Sequence, residues 1–289
     1  MEEEKVISTQ DSLTPSATVH ELSDSVMTGK ADFSKTKMFT LAIAAGAFIA
    51  FGAQVSLTVM TGDSMMGWGF TKLIGAMTFA TGLMIVALTG AELFTGNVMM
   101  TFAVLEKKVS LLKLLRSWTI VYIANFLGSI LVAGLIFGAG MGHNGGDAVG
   151  VTAMQTAFSK INLTFGEAFF RGILCNWLVC LAIFMASTSK RVIGKIFAIF
   201  FPIMTFVASG YEHSVANMFF IPNGLLMKHF PSIVADSGMT PDQLATMTWK
   251  GFFLHNLLPV TCGNIVGAFV FVVLLFWTAY LREEHRHQH

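Results

Sequence analysis

The chain has 289 residues, of which 54% are hydrophobic and only 12% charged, with a formal net charge of +1. A soluble domain carries about 25% charged residues, so this composition excludes a water-facing surface and calls for lipid as the solvent. The near-neutral charge leaves no basic stripe for nucleic acid, and the three cysteines, Cys175, Cys180 and Cys262, lie in apolar stretches and read as small core residues, not a disulfide framework.

Residues 1–30 are polar and acidic and hold no apolar run, so no secretory signal is expected. Residues 1–34 read as a tail, in which Val19, Leu22 and Val26 at i, i+3 and i+7 predict a short amphipathic helix. That helix is expected as a solvated arm or interfacial anchor, or as a gating element. Six uncharged runs then follow: 38–62, 73–105 (interrupted by Glu92), 117–142, 172–189, 196–227 (interrupted by Glu212 and His213) and 251–281. Each is long enough to cross about 30 Å of hydrocarbon as a helix. The expectation is an all-α membrane protein whose 35–281 domain carries six transmembrane helices. Segments 141–163 and 228–249 are expected as long loops, and 282–289 as a second tail. The terminal His285-Arg286-His287-Gln288-His289 could meet a metal, but a frayed end offers no rigid geometry. Neither a metal nor a cofactor is expected.

Lysine and arginine set the orientation. Lys5, Lys30, Lys35, Lys37, Lys107, Lys108, Lys113, Arg116, Lys190, Arg191, Lys195, Arg282 and Arg286 fall on one side, against Lys72, Lys160, Arg171, Lys228 and Lys250 on the other. The heavier side should face the cytoplasm, with both termini, as expected for a multi-pass protein of the inner membrane.

An internal repeat runs through the spans. Gly90-Ala-Glu92-Leu-Phe-Thr95-Gly-Asn97 and Gly210-Tyr-Glu212-His213-Ser-Val-Ala-Asn217 both fit G-x-E-x-x-x-x-N, and Asn125-x-x-Gly128 is echoed by Asn264-x-x-Gly267. A unit of three spans, an odd number, must insert its second copy upside down, which places a site near midplane at broken second and fifth helices. Glycine permits the backbone angles of a break. Glu92 and Glu212 can accept hydrogen bonds from freed N–H groups, and Asn97 and Asn217 can donate as well as accept. These four read as loop braces more readily than as groups that handle substrate or protons.

Three segments resemble the formate/nitrite transporter family: Ala91-Glu92-Leu93-Phe94-Thr95, Ser209-Gly210-Tyr211-Glu212-His213-Ser214-Val215-Ala216-Asn217-Met218, and Asn256-Leu257-Leu258-Pro259-Val260-Thr261-x-Gly263-Asn264. The resemblance covers roughly residues 35–281. It implies a homopentamer of six-helix protomers, each with its own pore and an aquaporin-like inverted three-helix repeat. It also implies a channel and proton-coupled carrier for a small monovalent anion, not an enzyme, with formate as leading substrate and nitrite or hydrosulfide as the alternatives.

By the same resemblance His213 is the central pore histidine and Thr95 its hydrogen-bonding partner. Phe79, Leu83, Leu93 and Phe206 are apolar constrictions, Lys160 a vestibule lysine that attracts the anion, Asn176 a polar residue near the pore, and Asn264 a pore asparagine. His213 is either a neutral imidazole shaping the chamber or an electrostatic and proton-handling group. Thr95-Gly96-Asn97 departs from the serine–threonine continuation of the formate branch, which bears on substrate identity. A water or polyol channel would need paired Asn-Pro-Ala caps, and the chain has none. An intramembrane hydrolase built on Ser209 or Ser214 with His213 is a third reading.

Overall fold

The structure is a computed structural model and describes residues 12–62 and 67–282. The terminal histidines therefore lie outside the described residues. Among the described residues five helices are long and apolar enough to cross a bilayer: Lys35–Val59, Gly67–Thr89, Leu111–Gly138, Phe165–Thr188 and Trp249–Leu281. The second expected span is split, with Phe94–Leu105 following Gly67–Thr89 after a short non-helical stretch. The fifth is two shorter helices, Val192–Ala208 and Ser214–Met227. Among the described residues no strand forms beyond an isolated bridge between Ser12 and Ser189.

Both splits sit at the predicted glycines. Gly90 has φ 69° and Gly210 φ 74°, in the left-handed region that side chains with a Cβ resist. The other repeated glycines serve close helix approach. A Cβ on Gly128 would lie 2.0 Å from the Ile43 carbonyl oxygen, and one on Gly267 would lie 2.2 Å from that of Ile173. The small residue lets two backbones touch.

Two expectations change. Much of 141–163 and 228–249 is helical, as Ala148–Ile161, Pro231–Asp236 and Pro241–Thr246. Ala148–Ile161 buries Val149, Ala153, Met154, Ala157 and Ile161, an apolar stripe that the preceding glycine-rich stretch disguises. The tail does not stand clear of the bundle either. Its helical segments Pro15–Glu21, Leu22–Val26 and Met27–Ala31 run without interruption, and Val19, Leu22, Met27 and Ala31 are buried among Val98, Met99, Met100 and Phe102. Cys175 and Cys180 are buried as expected, whereas Cys262 is exposed on the surface of its helix.

Candidate functional site

Each break frees backbone groups, and one asparagine on a neighbouring long helix recaptures them. Asn125 Oδ1 accepts from the Phe94 N–H at 2.9 Å, while its Nδ2 donates to the carbonyls of Ala42 (2.7 Å) and Glu92 (2.9 Å). Asn264 does the same in the other half: Oδ1 accepts from the Ser214 N–H at 2.9 Å, and Nδ2 donates to Gly172 (2.8 Å) and Glu212 (2.9 Å). The Glu92 N–H reaches the Leu41 carbonyl and the Glu212 N–H that of Arg171, both at 3.2 Å. Buried backbone in a membrane must be satisfied inside the protein, and here it is satisfied twice over by the same device.

The two carboxylates are held in the same way. Glu92 accepts from Asn97 Nδ2 at 2.7 Å and from Lys30 Nζ at 2.8 Å, and Lys30 also reaches Asn97 Oδ1 at 3.0 Å. Glu212 accepts from Asn217 Nδ2 at 2.6 Å, Lys160 Nζ at 2.8 Å and Asn256 Nδ2 at 3.2 Å. Both glutamates are almost wholly buried, and each carboxylate is met by a lysine and an amide, the partners a buried carboxylate needs.

His213 and Thr95 close the centre. Thr95 Oγ1 lies 2.9 Å from His213 Nε2. On the opposite edge of the ring, Nδ1 accepts the Ala216 N–H at 3.0 Å and caps the helix Ser214–Met227. With Nδ1 an acceptor, the neutral ring carries its proton on Nε2 and donates it to Thr95. Neither nitrogen is left for Ser209 or Ser214, which removes the hydrolase reading. Thr95 is fixed in turn, because its carbonyl accepts from Asn176 Nδ2 at 3.1 Å and from Cys180 Sγ at 3.4 Å.

Two cavities flank this centre and share no lining residue. One, of about 370 Å³, is lined by Lys30, Leu83, Glu92, Leu93, Asn97 and Lys195 among others. The second, of about 190 Å³, is lined by Lys72, Phe79, Lys160, Arg171, Phe206, Glu212 and His213 among others. The Phe79 ring meets Phe206 edge-on at 5.7 Å and stacks on Phe220 at 6.2 Å, and Phe206 lies over His213 at 6.0 Å. Leu83 and Leu93 line the other cavity, each about 2% exposed. Apolar side chains thus border both approaches to His213.

The structure gathers His213, Thr95, Phe79, Phe206, Leu83 and Leu93 at the centre and sets Lys160 in a cavity wall. Asn176 and Asn264 line neither cavity. Asn176 donates to the carbonyls of Thr95 and Asn264, so both asparagines spend their amides on backbone. Three contributors carry no site role in the sequence reading: Lys30, Asn256 and Phe220. Lys30 had a signal. Lys30-Ala-Asp32-Phe-Ser34 and Lys160-Ile-Asn162-Leu-Thr164 share the pattern K-x-(D/N)-x-(S/T), with Ser34 and Thr164 each capping the next helix. The repeat unit therefore begins with the helix that precedes each triplet of spans. Among the described residues no three His, Cys, Asp or Glu side chains converge on a metal position.

The profile of the formate/nitrite transporter family matches residues 17–278. The probable formate transporter of Methanothermobacter thermautotrophicus is 40% identical, over 86% of this chain and 90% of its own. Formate channel FocA of Escherichia coli K12 is 37% identical, over 89% and 91%. Among solved structures, a pentameric formate channel with formate bound superposes with a TM-score of 0.78 at 38% identity, covering 86% of this chain and 98% of that one. An FNT family ion channel gives 0.77 at 29% identity, covering 91% and 98%. This multi-pass membrane protein belongs to the formate/nitrite transporter family, whose members are channels and transporters and not enzymes.

Proposed function

We propose that the protein is a channel and proton-coupled carrier for a small monovalent weak-acid anion, formate first. It would act as a homopentamer in the cytoplasmic membrane, with six crossings per protomer and both termini inside. On this reading Val192–Ala208 and Ser214–Met227 together make the fifth crossing, the Lys30 cavity opens inward and the Lys160 cavity outward. Relatives named as a probable formate transporter and a formate channel, and a pentameric formate-bound neighbour, support the substrate and the assembly.

The observation that carries the reading is the position of the His213–Thr95 pair, between apolar side chains and flanked by two lysine-bearing cavities. A bare anion crossing such a barrier loses hydration worth tens of kcal/mol by Born reasoning, whereas an uncharged acid loses only a few hydrogen bonds. A weak-acid anion gathered in a cavity can take a proton there, pass His213 as the neutral acid and ionise on the far side. An imidazolium at His213 would need a proton on Nδ1 and would break the cap to Ala216. We therefore assign His213 a neutral, hydrogen-bonding role and leave proton delivery to water in the cavities.

Nitrite or hydrosulfide is the second reading, favoured by Thr95-Gly96-Asn97. Both are conjugate bases of weak acids and fit the same scheme. Proteoliposome swelling separates this class from a polyol channel. Rapid swelling in formate but not in glycerol is expected, and swelling in glycerol alone would overturn the assignment.

A further inference from the structure

The lysine of each cavity that the repeat pattern marks does not carry free charge. Lys160 sits 2.8 Å from the Glu212 carboxylate and Lys30 2.8 Å from that of Glu92. A close ion pair presents a dipole to a distant anion, and its field dies away much faster than that of a lone charge. An arriving anion would also have to compete with a carboxylate already in place.

Each cavity holds further cations. Lys72 and Arg171 line the Lys160 cavity, so three cations face one carboxylate there. Lys195 lines the Lys30 cavity, where two cations face one carboxylate. Among the described residues neither Lys72 nor Lys195 has an ion-pair partner, and the ring of Trp68, 5.9 Å from Lys72 Nζ, leaves the charge of Lys72 uncancelled. Glu167, one turn before Arg171, is engaged by the backbone N–H and hydroxyl of Thr164 at its helix start.

The placement of these lysines is crossed between the repeats. Lys72 lies in the first turns of Gly67–Thr89, a half of the broken span whose own carboxylate, Glu92, is in the other cavity. Lys195 lies in the first turn of Val192–Ala208, which belongs to the break bearing Glu212. Each repeat thus supplies the uncompensated charge of its partner's cavity.

We infer that Lys72, assisted by Arg171, is the anion-capture residue of the outer mouth and Lys195 that of the inner mouth, while Lys160 and Lys30 are structural partners of their glutamates. This rests on the proposed function and refines which residues it uses. Capture by uncompensated charge is a long-range effect, so it must weaken as salt shortens the Debye length from about 30 Å at 0.01 M to about 3 Å at 1 M.

The test is initial uptake of labelled formate into right-side-out vesicles at fixed pH, in roughly 10 mM and 500 mM salt. Lys72→Gln is expected to raise the apparent KM for external formate about three- to tenfold at low salt, with little change in maximal rate, and less than about twofold at high salt. Lys72→Arg should behave as wild type, and Lys195→Gln should show the mirrored defect in inside-out vesicles. Lys72→Cys, assembled and then aminoethylated to restore the cation, should regain the low KM that a neutral methylthio adduct does not. An unchanged KM in Lys72→Gln, or a loss equal at both salt levels, overturns the inference. So does failure of both the Gln and Cys variants to assemble, which would make Lys72 a folding residue. Wild-type vesicles that take up no more formate than empty ones would instead overturn the proposed function itself.

Discussion

Thr95 Oγ1 and His213 Nε2 meet at 2.9 Å across 118 residues of sequence, Thr95 in the first turn of one short helix and His213 at the N-cap of another, both beginning inside the protein. The contact joins the two breaks, and the other edge of the same imidazole caps the second short helix. Asparagine is a good N-cap and can keep the Ala216 bond while losing the reach to Thr95. His213→Asn should therefore assemble normally, yet pass formate more slowly at every pH, with the shape of the pH profile unchanged. His213→Ala loses the cap too and should cost a further ~0.5–2 kcal/mol of stability. Melting in detergent beside pH-resolved flux checks both; undiminished flux in His213→Asn would remove the histidine from the transport step, and a shifted pH profile would contradict its neutral role.

Asn125 and Asn264 make matching sets of three hydrogen bonds, all to backbone. Alanine at either position orphans one N–H and the carbonyl of the neighbouring glutamate, since the third acceptor keeps its own helix bond, at about 1–3 kcal/mol for each buried group left unsatisfied. Both substitutions should lower the melting temperature strongly and by similar amounts. A mild effect at one and a severe effect at the other would contradict the equivalence of the two halves.

The lysine–glutamate pairs behave as braces if their partners are coupled. Removing Lys160 leaves Glu212 buried and unpaired, and one-sided losses of this kind cost about 3–5 kcal/mol. Lys160→Met should be severely destabilised, and Lys160→Met with Glu212→Gln clearly less so than the summed single changes. Strict additivity in a double-mutant cycle would show that the pair is not coupled.

The tail is pinned by ion pairs of Asp24 with Lys108 and of Asp32 with Lys113. The hydrogen bond and charge of Lys113 hold the Asp32 carboxyl below its ordinary value. Burial by itself would raise Asp24, but the hydrogen bond and charge of Lys108 outweigh it and bring that carboxyl down as well. Groups lowered in the folded state stabilise above their unfolded pKa, near 4, and lose that contribution as pH falls through the folded value. His20, 3.9 Å from Asp24 and exposed, adds little. Hydrogen-exchange protection of residues 15–31 should stay flat between about pH 5 and 8 and fall only below about pH 4. Loss of protection near pH 6 would point to another trigger.

How much of this was legible depends on how local the chemistry is. The breaks could be read because a left-handed glycine, a carboxylate and an amide must sit at fixed spacing on one short loop, as in Gly90-x-Glu92 with Asn97. The Asn-x-x-Gly echo was visible too, but the sequence cannot say that Asn264 spends its amide on Gly172 and Glu212 instead of facing a cavity. Lys30 was missed because K-x-(D/N)-x-(S/T) is a loose pattern and its partner Glu92 is 62 residues away. Phe220 lies in Ser214–Met227, a helix buried nearly all round, where no apolar periodicity separates a cavity wall from core.

On the proposed function the conducted species is a small weak acid crossing in neutral form. Its most direct measurement is proteoliposome flux of formate, nitrite and hydrosulfide, side by side across pH. Formate is expected to be the fastest of the three, with flux rising as external pH falls and more of the anion finds a proton. Formate flux no greater than in empty liposomes, or flux that ignores pH, would contradict it.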